Sequence, residues 1–247
     1  MATYRITVVP GDGIGPEVMA EALKVLRAAE ANFPGLRFEC KEYRAGALCY
    51  KETGTDLPAE TLEACRTGDA ILFGSTGDPS IRLPDGTEIA PQLTLRVVLD
   101  LYAGIRPIKR YAGVPSALAG DPAIDYVIMR ENVEGLYASR GAGVKVGEQV
   151  AVDNMVITRQ GTERIVRYAF RIAQGRQGAV QDKVRRVTCV DKANVLKSMA
   201  FFRQIFYSVA KEFPGIQTEH AYVDAMTMYM VQRPLHYDVM VAENMFG

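Results

Sequence analysis

"VVPGDGIGPEV", residues 8–18, joins an apolar run, a glycine turn and a helix start in eleven positions. That order is the one that cradles the pyrophosphate of a dinucleotide in a Rossmann turn. The spacing differs. The fingerprint needs glycines at offsets zero, two and five. Gly11 and Gly13 meet the first two, but Pro16 stands at the third and Gly15 comes one place early. The acid expected about 20 residues further on is offered only by Glu39 and Glu42, which any charged strand end could supply. These residues disfavour a Rossmann turn and leave the use of the glycines open.

Around this turn the chain is ordinary in bulk. Its 247 residues suit one large domain or two modest ones. Apolar residues make up 48% and charged residues 23%, which is enough for a substantial core. Lysines and arginines balance aspartates and glutamates at 29 each, so no global field recruits nucleic acid or a membrane surface. A local basic cluster would then hold a small anion. Cys40, Cys49, Cys65 and Cys189 show no paired spacing, which argues against zinc and for four small buried hydrophobes in a reducing compartment. Ile6–Val9 is too short for a signal peptide, and no run suits a membrane span. The expectation is a cytoplasmic protein.

Strand-like and helical stretches alternate along the chain. Residues 5–9, 70–74, 102–107, 125–130, 185–190 and 237–242 read as strands. Helices are expected from Pro16, with Val18, Ala22, Val25 and Leu26 on one stripe, over "LPAETLEACRT" (57–67), and at 161–175, 194–211 and 224–232. This alternation predicts an α/β fold with a largely parallel sheet. The segment 139–158 departs from it, because glycines are followed by alternating Val144, Val146, Val150, Val152 and Val156. It reads as a projecting β-hairpin, marginal alone and therefore suited to pairing with a second copy.

Several residue types could carry chemistry. Arg96, Arg106 and Arg130 stand near element ends, and the fixed fork of arginine suits bidentate capture of carboxylates. Each taken singly is as well explained as a solvated surface residue, and Tyr137 as a packing residue that could also donate a proton. In "VDKANVL" (190–196) a strand runs into Asp191, Lys192 and Asn194, so the lysine lies where open α/β sheets bind ligands. Desolvation beside a cation can push such a lysine toward a general base. Asp224 stands at a similar junction, where aspartate is commonly a helix cap. Met226, Met228 and Met230 read as core fill, and His220 and His236 as structural.

Taken together, "PGDGIGPEV", "LR" ten residues before "RP", "RENVEGLY", "VDKANVL", "YVDAM" and "ENMFG" resemble one family, the β-decarboxylating dehydrogenases of isocitrate, 3-isopropylmalate, malate and tartrate. The motifs run in the family's order from residue 4 to residue 247. The resemblance implies a two-domain fold that is not Rossmann. Residues 1–102 would begin the cofactor-side domain, and 103–247 would form the substrate and dimerisation domain with an intersubunit arm at about 139–158. It implies that Arg96, Arg106 and Arg130 clamp the substrate's carboxylates, and that Tyr137 protonates the enolate after carbon dioxide leaves. Lys192 would be the base for the 2-hydroxyl proton, and Asp224 a ligand of Mg2+ or Mn2+. Gly13, Ile14 and Asn194 would lie beside NAD or NADP. Lys192 and Asp224 would reach the site from the second subunit of a homodimer. The family continues past "ENMFG" with further metal ligands and cofactor loops, so the resemblance implies a C-terminally truncated chain, inactive by itself.

Two other classes compete: a non-catalytic relative that keeps the fold, and an unrelated Rossmann dehydrogenase. The first has no need of a base and a donor together, and Pro16 disfavours the second. For the substrate, the isocitrate enzymes place a serine where Ala90 stands, and the isopropylmalate enzymes place a glutamate and two leucines in the stretch holding Ile89, Gln92 and Leu93. Neither signature is complete. Apolar Ile89, Ala90 and Leu93 lean toward an alkyl-bearing malate, since an apolar pocket would strand a third carboxylate.

Overall fold

A computed structural model describes residues 2–247. The chain forms two compact units, Met1–Asp100 and Leu101–Gly247. In the first, strands β1 (Ala2–Gly11), β2 (Leu36–Glu42) and β3 (Ala70–Ser75) make a parallel sheet in the order β2–β1–β3. Helix α1 (Gly15–Asn32) covers one face through Met19 and Leu23, packed on Ile6, Val8, Phe38 and Leu72. Helices α3 (Ala59–Thr67) and α4 (Pro91–Val98) cover the other through Cys65 and Leu95, against Val9.

Two expectations are corrected here. Val18 and Val25 are exposed, because each residue turns the helix by about 100° and the buried stripe runs through Met19 instead. Cys40 is exposed as well, since β2 is an edge strand; the other three cysteines are buried, and all four are free thiols. Strand β2 and helix α2 (Ala47–Thr53) were not among the expected elements.

The glycine turn serves close packing. A Cβ on Gly11 would lie 2.0 Å from the Ser75 carbonyl oxygen, and one on Gly15 would lie 2.2 Å from that of Pro10. Between them Asp12, 2% exposed, accepts hydrogen bonds from the amides of Ala47 at 2.7 Å, Leu48 at 2.9 Å and Gly77 at 2.8 Å. Ala47 and Leu48 open α2, so the Asp12 carboxylate satisfies two of that helix's orphan amides from across the sequence.

The second unit is a five-stranded sheet, β4 (Ala103–Lys109), β5 (Asp125–Glu131), β10 (Val239–Ala242), β8 (Arg186–Asp191) and β9 (Gln217–Tyr222), in that order. All neighbours are parallel except β4 against β5. Helix α5 (Arg159–Gly175) buries Ile165, Val166, Ala169, Phe170 and Ala173 on one face of it, at helical spacing. Helix α6 (Lys197–Ala210) adds Phe202, Ile205, Phe206 and Val209 to the same core, and Phe170 stacks on Phe206 and Phe213. Helix α7 (Val223–Gln232) covers the opposite face, where Met226 meets Tyr237 and Met240. Met228 is exposed rather than core, because residues two apart on a helix point nearly opposite ways.

Within 139–158, β6 (Val144–Val146) and β7 (Val150–Val152) form an antiparallel hairpin pairing Val144 with Val152 and Val146 with Val150. Directly paired residues share a face, so these four valines form one apolar patch, each 45–60% exposed.

Candidate active site

Strands β5, β10, β8 and β9 run the same way, and their register aligns their carboxyl ends: Ala242 stands between Arg130 and Val190, and Asp191 pairs with Tyr222. Ligands of open α/β sheets gather at this end. Arg130 near the end of β5, Lys192 just past β8, Asp224 in the first turn of α7 and the "ENMFG" turn after β10 all stand there.

The register of β4 on β5 sets Gly104 opposite Arg130 and Arg106 opposite Ile128. Arg106 and Arg130 are therefore diagonal neighbours on one face of the sheet, within reach for long side chains. Arg130 donates through Nε and Nη2 to Asn244 Oδ1, at 3.1 and 2.9 Å, and its guanidinium lies 5.5 Å from the centre of the Tyr137 ring. Arg106 Nη1 donates to the Gly247 carbonyl at 3.2 Å. The turn that supplies these partners is held by Glu243, whose Oε1 accepts the amides of Met245 and Phe246. Burial pushes the Glu243 carboxyl above the usual carboxylate range.

Two strands away, the Lys192 ammonium pairs with Asp224 Oδ1 at 2.9 Å. The hydrogen bond from Lys192, aided by amides at the start of α7, holds Asp224 below the usual carboxylate range. Asp224 is thus an ionised, exposed carboxylate in the first turn of α7, two residues past the N-cap position that Tyr222 takes. Lys192 is held by what precedes it. Buried Asp191 takes Arg203 in a two-bond grip, 2.7 and 2.6 Å, and also accepts the Ala193 amide at 2.8 Å. Tyr222 lies between the two cations, its ring centre 5.9 Å from Lys192 Nζ and 5.1 Å from the Arg203 guanidinium. Asn194 is exposed on the turn between β8 and α6.

The structure therefore brings Arg106, Arg130 and Tyr137 into one cluster and Lys192 with Asp224 into another, at one end of one sheet. Arg96, Gly13 and Ile14 belong to the first unit. Arg96 lies in the last turn of α4. Gly13 has φ +58° and open space where a Cβ would stand, and Ile14 beside it is exposed, so this corner can lie against a ligand. Ile89 and Ala90 are buried, and Gln92 accepts a hydrogen bond from Thr76. Leu93 is part-exposed. His236 pairs with Glu219 at 3.0 Å and His220 with the Tyr207 hydroxyl at 2.7 Å, in line with structural roles.

Sequence reasoning missed Asp12, Asn244 and Arg203. Asp12 stands in the middle of the quoted turn, and Asn244 directly follows the buried strand β10. Arg203, twelve residues past Asp191, left no signal. As to metal, no three His, Cys, Asp or Glu side chains converge among the described residues. Asp224 could supply one oxygen, which does not make a centre for a hard divalent ion. The described residues of one copy do not make a complete metal site.

This is a two-unit α/β protein with arginines and a lysine–aspartate pair at the carboxyl end of a mostly parallel sheet. The profile of the isocitrate/isopropylmalate dehydrogenase family matches residues 5–247, and the chain belongs to that family of oxidoreductases. It is 43% identical over 245 residues to the 3-isopropylmalate/3-methylmalate dehydrogenase of Methanocaldococcus jannaschii, covering 99% of this chain and 68% of the relative. It is 41% identical over 256 residues to the 3-isopropylmalate dehydrogenase of Geobacillus kaustophilus, covering 100% and 67%. The crystal structure of isocitrate dehydrogenase from Methylococcus capsulatus superposes with a TM-score of 0.84 at 36% identity, covering 98% of this chain and 67% of the other. The chain spans about two thirds of these relatives' length.

Proposed function

We propose that the protein acts as an NAD- or NADP-dependent, divalent-metal-dependent dehydrogenase that oxidatively decarboxylates a 3-substituted malate, with 3-isopropylmalate as the leading substrate. The observation that carries this reading is a pair of half-sites at the carboxyl end of one sheet, Arg106 with Arg130 in one and Lys192 with Asp224 in the other. Arg106 and Arg130 receive the carboxylates of a small 2-hydroxy acid. Lys192 takes the proton of the 2-hydroxyl as hydride leaves for the nicotinamide, and Tyr137 returns a proton to the enolate carbon once carbon dioxide has gone. Gly13 and Ile14 of the first unit would lie against the dinucleotide. Asp224 would be one ligand of Mg2+ or Mn2+, and a divalent cation bound there would supply stabilisation of negative charge on the former hydroxyl oxygen. The other ligands must come from substrate, water or groups outside the described residues of one copy.

The substrate preference leans on the names of the curated relatives. The isocitrate dehydrogenase among the similar structures keeps that substrate as the second reading. We place the protein in the cytoplasm on its four free thiols, and no described helix is long and apolar enough to cross a membrane. We read it as a homodimer whose sites draw Lys192 and Asp224 from the neighbouring copy, supported by the exposed valine face of the hairpin.

The test is an initial-rate assay of the chain as written, and of the chain extended by the corresponding C-terminal segment of the Methanocaldococcus jannaschii relative. Each is given NAD or NADP, with magnesium or manganese, against 3-isopropylmalate, isocitrate, malate and tartrate. Fastest turnover of 3-isopropylmalate by the extended protein is expected, and activity toward none of the four would overturn the reading.

A further inference from the structure

Four arginines of the second unit use the same edge of the guanidinium, the one formed by Nε and Nη2. Arg167 gives it to Glu212, Arg203 gives it to Asp191, and Arg176 divides it between Asp238 and Asp125. Each of those cations is matched by carboxylate and serves the fold. Arg130 gives the same edge to a neutral amide, with both bonds converging on Asn244 Oδ1. Asn244 is itself fixed, being fully buried and donating through Nδ2 to the Glu134 carbonyl at 2.8 Å. The nearest acid, Glu243, spends Oε1 on the Met245 and Phe246 amides, and its Oε2 has no hydrogen-bond partner. The Tyr137 ring covers the guanidinium, and a Cβ on Gly247 would come within 2.5 Å of Arg130 Cβ and Cγ.

We infer that Asn244 is a positioning and specificity residue, a neutral anchor that fixes Arg130 by one edge without discharging it and so commits the opposite Nη1–Nη2 end to an incoming carboxylate. A bidentate carboxylate needs two N–H groups in one plane. With Nε occupied, the end-on pair is the two-pronged edge left to a ligand. Arg106 is tied to the same turn through the Gly247 carbonyl, so one turn sets the aim of both arginines. An aspartate at 244 would keep the accepting oxygen and cancel the charge, giving Arg130 the same balance as Arg203.

The inference rests on the reading of Arg130 as part of a carboxylate clamp, and the test separates the two. Binding of 3-isopropylmalate to the whole chain is measured by calorimetry for wild type, Asn244→Ala, Asn244→Asp and Arg130→Met, each checked for folding by its thermal melt. Asn244→Ala frees a correctly charged arginine and should weaken binding by about three- to tenfold, whereas Asn244→Asp should weaken it by on the order of a hundredfold, near Arg130→Met. A merely structural asparagine predicts the reverse order, because aspartate preserves the contact to Arg130 and alanine deletes it. Asn244→Asp binding as well as Asn244→Ala or better, while Arg130→Met binds poorly, overturns the anchor role alone. Arg130→Met binding as tightly as wild type, or wild type failing to bind, overturns the clamp reading and the anchor with it.

Discussion

At the residue scale the proposed chemistry rests on Lys192 and the groups that hold it. Lys192→Met removes the proposed base while leaving Arg106 and Arg130 in place. In an active form of the protein, kcat should therefore fall by about a hundredfold to ten-thousandfold with KM little changed. Near-normal turnover in steady-state kinetics would remove Lys192 from the mechanism. The ion pair itself can be followed by pH. Lys192 and the first amides of α7 lower the folded-state titration of Asp224, so the stability the pair contributes is present above the unfolded carboxylate value. It is lost only as pH falls through the lower, folded value. An NMR titration of the Asp224 carboxyl carbon should show a midpoint below the ordinary one, moving up toward it in Lys192→Met; an ordinary midpoint in wild type would deny the pair. The roles of these residues could be read as hypotheses because they sit in motifs at strand ends. Their support could not, since Arg203 reaches Asp191 from one helix away and Asn244 meets Arg130 across 114 residues of chain.

At the element scale the strands and helices of the second unit were legible because their apolar periodicity is strong, as in the buried runs of β8 and β10 and the four-residue spacing of α5. What the sequence hid was phase and edge. Val18 and Val25 fit a helical stripe as well as Met19 does, and only packing on Ile6 and Val8 chooses between them. Strand β2 alternates Leu36, Phe38 and Cys40 with Arg37, Glu39 and Lys41, as a strand with one covered face does, but the run is short and four of its seven residues are charged. Asp12 shows how far an element can depend on a distant side chain. Asp12→Ala would orphan the amides of Ala47, Leu48 and Gly77 and should destabilise the protein by about 3 kcal/mol, with Asp12→Asn losing less. Urea denaturation checks this, and equal stability of the alanine variant would show that the three amides find other partners. The hairpin carries a separate prediction. Val146→Lys places a charge in the exposed valine face, so sedimentation should show more monomer than in wild type if that face pairs between copies. An unchanged distribution would remove the hairpin from the interface.

At the scale of the whole molecule, the sequence motifs led to the family, and the structure shows why their order matters. "RENVEGLY", "VDKANVL", "YVDAM" and "ENMFG" stand at the aligned ends of β5, β8, β9 and β10, so residues scattered over more than a hundred positions come to one sheet end. Substrate choice was less legible, because the residues before Arg96 complete neither the isocitrate nor the isopropylmalate signature. If sites are shared between copies, mixing inactive Lys192→Met and Arg130→Met subunits should restore activity, because one site of the mixed dimer draws both residues from intact copies. No recovery after demonstrated subunit exchange would place Lys192 and Arg130 in the site of a single chain. The central claim, that this sheet end couples oxidation of a hydroxy acid to loss of its carboxylate, has one direct measurement. Carbon dioxide released and reduced nicotinamide formed are counted together as the extended protein consumes 3-isopropylmalate. The account predicts one of each per turnover, both lost in Lys192→Met; reduced nicotinamide without carbon dioxide would contradict it.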